Sequence, residues 1–142
     1  MATNRIPVGR NELGKAFRKH YQVGQDDDEN PSHILLLFYA VECGLKSLYL
    51  RDKRFSTTED ITDIDLTNAG HNLMIWSKAL KLPASLPGNK DINFRLRKDG
   101  KQWPISKAHQ AWRYGALIDR DDEKRLVEWL KNVCEQLKED GM

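Results

Sequence analysis

The stretch PSHILLLFYAVECGLKSLYLRDK, residues 31–53, constrains this chain more than any other part of it. Asn30 before it is a good N-cap, and Pro31 suits the first helical position because the N–H it lacks would be unpaired there. Ile34, Leu37, Phe38, Val41, Leu45, Leu48 and Tyr49 then recur at helical spacing. Leu35, Leu36 and Leu50 spread the apolar surface around the cylinder. A helix this apolar must be covered on most sides. At about 1.5 Å per residue it spans roughly 34 Å. The basic tail of Arg51, Lys53 and Arg54 complements the negative end of the helix dipole. Glu42 and Lys46 are embedded in the apolar run, four residues apart. Charges there require a partner, an interface or a groove wall. They are either an intrahelical pair at the wetter edge of the helix or part of a site.

Around this helix the remaining 119 residues of a 142-residue chain have to be arranged, which suits one domain. Residues 1–10 read as an N-terminal arm and residues 11–140 as a single helical domain. Asn11 is expected to cap a first helix over 11–23, with Leu13, Phe17 and Tyr21 on one face and Gly24 ending it. QDDDEN (25–30) is an acidic turn whose spacing does not match a calcium loop. Residues 55–67 form a connecting loop or a short helix. Thr67 or Asn68 is expected to cap the next helix, where Leu73, Trp76 and Leu80 share a face and Pro83 and Pro87 provide the stop. Ile92, Phe94 and Leu96 then alternate with Asn93, Arg95 and Arg97, and Asp99-Gly100 supplies turn chemistry. This predicts a small β-hairpin near residues 91–105, which must pack on the helices to be stable. Ser106 is expected to cap a helix over 107–117. Asp119 and Asp122 have capping-box spacing ahead of a last helix over 121–139. There Leu126, Leu130, Val133 and Leu137 form the stripe, flanked by Trp129. The fold class is therefore all-α, with one hairpin inserted.

The formal net charge of +2 argues against a generally cationic nucleic-acid coat but leaves room for a local basic face. Cys43 and Cys134 sit in apolar helical patterns without a CxxC or a Cys/His cluster, so reduced core thiols are expected and a zinc site is not. The N-terminal residues hold no signal-peptide run, and the apolar stretch 34–41 is too short to cross a bilayer. A cytoplasmic, reducing location, no membrane contact, no metal and no cofactor are the expectations. The chain has no GxSxG, Walker loop, GxGxxG or HExxH motif.

Three segments in order carry a resemblance: LLLFYAVECGLKSLYL, then GHNL opening a shorter helix, then WRY before a final amphipathic helix. This order resembles the HEPN (higher eukaryotes and prokaryotes nucleotide-binding) superfamily over about residues 31–138, with the hairpin as an insertion. The resemblance implies a bundle of four to five helices and a homodimer with a groove at its interface. It also implies work in toxin–antitoxin or phage-defence systems, either as a metal-independent ribonuclease or as a non-catalytic module that binds a nucleotide, RNA or a partner protein. The nuclease members carry an Arg followed by His after four to six residues, and no arginine in this chain does. A non-catalytic module is thus the leading expectation. A ribonuclease with a rearranged site and a purely structural subunit of a larger complex are the alternatives.

His109 and Arg113, four apart, share a helical face and are the candidate catalytic pair. Arg supplies a fixed cationic fork for phosphate, and His transfers protons near neutral pH. The bland alternative pairs Arg113 with a carboxylate such as Glu42 and leaves His109 on the surface. Arg113-Tyr114 occupies the place of the family's Arg-Tyr segment, and Glu42 and Lys46 that of its Glu-Cys-Ala-Leu-Lys-like segment. His71 either fixes the start of its helix or lines the groove. These six residues form the candidate ligand site. Arg95, Arg97, Lys98 and Lys101, beside Phe94 and Trp103, make the hairpin a candidate nucleic-acid contact.

Overall fold

The computed structural model describes residues 6–82 and 92–142. Among them are α1 (Arg10–Gly24), α2 (Pro31–Lys53), α3 (Ile64–Thr67), α4 (Leu73–Ala79), α5 (Ala108–Tyr114) and α6 (Arg120–Glu139), with strands β1 (Asn93–Arg95) and β2 (Gln102–Pro104). Short 3-10 turns cover Thr58–Asp60 and Ile105–Lys107. The chain is mostly helical with one small sheet. The expected stops at Pro83 and Pro87, and Asp91 at the start of the hairpin, lie outside the described residues.

Helix α2 has the expected bounds. Asn30 accepts from the Ser32 N–H at 2.9 Å, and the helix closes on Arg54 in a left-handed conformation (φ 59°). By length and composition it would reach across a bilayer, yet 61% of its most apolar window is buried inside the fold. Its apolar surface is covered by α1, α4, α5 and α6. Ile34, Leu37, Phe38, Val41, Leu45 and Leu50 are at most 1% exposed. Each such side chain contributes about 1.5–3 kcal/mol relative to exposure, which explains why this helix anchors the molecule.

Helix α1 runs antiparallel along α2. Gly24 lies against Leu37, Phe17 against Gly44, and the Ser47 hydroxyl donates to the Arg10 carbonyl at 2.9 Å. The crossing is closest at Gly24, where a Cβ would stand 2.7 Å from the Leu37 nitrogen. The acidic turn between the two helices is tied to α6 by an Asp28–Lys131 ion pair. Cys43 and Cys134 are free thiols, and burial pushes Cys43 up to about 11 and Cys134 further in the same direction.

Three expected caps are corrected, and the fourth, Asp119, holds without its reciprocal bond. Gly9, not Asn11, precedes α1, and Glu12 reaches back to accept the Gly9 N–H at 3.2 Å. Neither Thr67 nor Asn68 starts α4. Asp63 accepts from the N–H groups of Asp65 and Leu66 and so nucleates α3 one turn earlier, and α4 opens only at Leu73 after Gly70 (φ 55°). Ser106 lies inside a 3-10 turn, and α5 stops at Gly115 (φ 79°) instead of continuing to residue 117. Asp119 caps α6 by accepting the Asp122 N–H at 3.1 Å, but Asp122 does not return the bond. Its carboxylate is taken by Arg95 instead.

The hairpin is antiparallel, with Phe94 opposite Trp103. Its turn is longer than a two-residue Asp-Gly loop, because Leu96 pairs with Lys101 and Gly100 adopts φ 68°. It is not left alone. Arg97 N–H donates to the Leu117 carbonyl at 2.9 Å, Asp119 N–H to the Arg95 carbonyl at 2.8 Å, and Phe94 is buried. The segment 117–119 therefore acts as a third edge that attaches the hairpin to the start of α6.

Candidate functional site

Three separate parts of the chain bring polar groups to one face of α2. Glu42 is 13% exposed at its side chain, and each of its oxygens is engaged. Oε2 accepts from Lys46 Nζ at 3.0 Å, and Oε1 accepts from His71 Nδ1 at 2.7 Å. Because a carboxylate only accepts, Nδ1 of His71 is the donor, and the bond orients the ring. His71, half-exposed just before α4, lies against His109 from α5, the rings tilted by 47° with centroids 4.3 Å apart. Phe38 supports both imidazoles, 5.5 Å from His109 and 6.4 Å from His71.

His109 is not on the surface. It is 6% exposed, and its Nδ1 makes no hydrogen bond of normal geometry. Burial lowers its pKa, and neighbouring His71 and Arg113 lower it further, while the Ser106 backbone and Glu42 pull weakly the other way. Its surroundings therefore disfavour the protonated form. Arg113, one turn on, points outward and donates to the Tyr39 hydroxyl, with its guanidinium 5.8 Å from the Tyr114 ring centre. It does not pair with Glu42. The carboxylate is already satisfied by His71 and Lys46, and the phenol of Tyr39 takes the arginine.

Glu42, Lys46, His71, His109 and Arg113 thus fall together with Tyr39, while Tyr114 stands beside Arg113 and opens onto a separate cavity by the hairpin. Sequence reading missed Tyr39, although its position three residues before Glu42 puts it on the same helical face. The arrangement places the exposed guanidinium of Arg113 and the half-exposed His71 beside a buried imidazole, His109, and an oriented, mostly buried carboxylate, Glu42. Chemically, such a set offers a guanidinium able to donate to an anionic oxygen beside two imidazoles in contact. No group of three or more His, Cys, Asp or Glu side chains among the described residues is placed to hold a metal.

The basic hairpin residues do not converge on this patch. Arg95 is bound to buried Asp122, with Nε at 3.0 Å and a terminal nitrogen at 3.2 Å. Asp122 also accepts the Arg95 N–H at 2.9 Å and pairs with Arg125. Arg97 Nε donates to the Ile118 carbonyl at 2.6 Å. Lys101 lies over Trp103, 4.7 Å from the ring centre. Lys98 and Arg97 line a cavity with the exposed Tyr114 and Leu117. No protein-family model, curated protein or solved structure matches this chain.

Proposed function

We propose that the chain is a HEPN-like helical module, acting as a non-catalytic homodimer that binds a phosphate-bearing ligand, a nucleotide or RNA, through the Glu42 patch. One observation carries this reading: His71, His109 and Arg113, from segments far apart in sequence, meet on Glu42 and Tyr39 of α2. A purely structural helix junction has no need of an outward arginine beside paired imidazoles. The resemblance in the order of the three segments points the same way and adds the defence-system setting and the possibility of a partner protein as ligand. Fluorescence anisotropy with a short single-stranded RNA, at about 50 and 200 mM salt, tests it. Binding should weaken with salt, and Arg113→Ala should weaken it by about tenfold, as expected for losing one charge-assisted phosphate contact. Binding that ignores both Arg113→Ala and His71→Ala would overturn the assignment.

The second reading is a metal-independent ribonuclease with a rearranged site. The contact between the His71 and His109 rings favours it, because phosphodiester transfer uses two proton-transferring side chains close together. RNA cleavage in chelator, lost in both His71→Ala and His109→Ala, would replace the non-catalytic reading with this one.

A further inference from the structure

A second basic feature lies away from the Glu42 patch. A cavity of about 480 Å³ between α1, the C-terminal half of α2 and the turn after α6 is lined by Arg10, Lys15, Arg18 and Arg51. Gly14 and Ser47 make up the wall between the two helices. Among the described residues Arg10, Lys15 and Arg18 make no ion pair. Arg51 is held in place by donating to the Asp140 carbonyl, with Asp52 3.7 Å from its Nε. No carboxylate side chain is among the residues lining the cavity. Three cations without a carboxylate partner around one concavity repel each other, and the chain as a whole has almost no excess positive charge to explain them.

We propose that this cavity is a binding site for a small molecule carrying two phosphate groups. Arginine forks match phosphate oxygens in pairs, and three arginines with one lysine supply that geometry from both walls. Two phosphates bring a charge of about −3 to −4 at pH 7, which matches the three unpaired cations of α1 together with the partly engaged Arg51. The volume falls in the usual range for small-ligand sites. The site is independent of the Glu42 patch, so either proposal can fail without the other.

Isothermal titration of the full chain with inorganic pyrophosphate tests it, with ADP as a second arm that separates a nucleotide source from inorganic diphosphate. Pyrophosphate should bind, and Arg10→Gln/Arg18→Gln should weaken binding by at least about tenfold. Lys107→Gln/Lys124→Gln removes the same charge elsewhere on the surface and should change affinity little. ADP binding at least as tight as pyrophosphate marks a nucleotide diphosphate; weaker ADP binding marks the inorganic anion, and both keep the site. No pyrophosphate binding, or equal loss in the two double variants, would overturn the proposal.

Discussion

His109 shows how one residue's surroundings decide its chemistry. Its folded pKa lies below the ordinary histidine value of about 6.5 because burial disfavours the imidazolium, and His71 and Arg113 add to this. Between the lowered value and 6.5, the unfolded chain holds a proton that the folded chain does not. Stability therefore rises with pH through that window, and acidification removes it until the folded pKa is passed. Urea midpoints taken between about pH 7.5 and pH 5 should fall, and His109→Gln should flatten the part of that fall due to this group. Gly24 gives a second prediction at the same scale. The clash its Cβ would make is with backbone atoms of α2, the Leu37 nitrogen at 2.7 Å and the His33 carbonyl at 2.9 Å. Backbone cannot rotate away, so Gly24→Ala should cost about 1–3 kcal/mol or more by overpacking, read as a lower urea midpoint with an unchanged m-value.

At the scale of elements, the hairpin is the instructive case. Alternation of Ile92, Phe94 and Leu96 was enough to indicate strands, and a hairpin of this size needed a support that the local pattern does not name. The support is Asp122. Its spacing from Asp119 suits a capping box, but its carboxylate instead receives the Arg95 guanidinium and N–H across 27 residues. The hydrogen bonds to Arg95 hold its pKa below the usual carboxylate range against the opposing effect of burial. That stabilisation is present above the ordinary Asp pKa and is lost as pH falls through the folded value. Asp122→Asn should lower the urea midpoint at pH 7, since it removes the buried carboxylate that receives the Arg95 guanidinium and N–H, and leaves exposed Arg95 only Asp119 at 3.5 Å. Amide exchange should rise first in residues 93–104, and an unchanged hairpin exchange rate would mean that Phe94 burial alone holds it. The corrected helix starts have the same origin. Asn11, Asn68 and Ser106 are all competent caps, but Glu12 bonding back to Gly9, Asp63 and Gly70 set where the turns begin.

For the whole molecule, the proposed homodimer is the prediction to check. Sedimentation velocity at micromolar concentration should give twice the 16.5 kDa chain mass; a monomer over the whole concentration range would remove the shared groove from the reading. Sequence by itself determined the helical class, the bounds of α2, the apolar stripe of α6 and the existence of the hairpin. Caps and periodicity act within a few residues, so each of these is written locally. It also placed His109 and Arg113 on one face, by helical spacing alone. Only the tertiary structure decided the partners: Glu42 takes His71 from 29 residues away and leaves Arg113 to Tyr39, while Asp122 abandons its helix start for Arg95. Those choices depend on which oppositely charged or hydrogen-bonding groups the packed helices bring within about 3 Å, and nothing in local spacing encodes that. The apolar helix from Pro31 thus fixes the frame, and the contacts along its polar edge define the site.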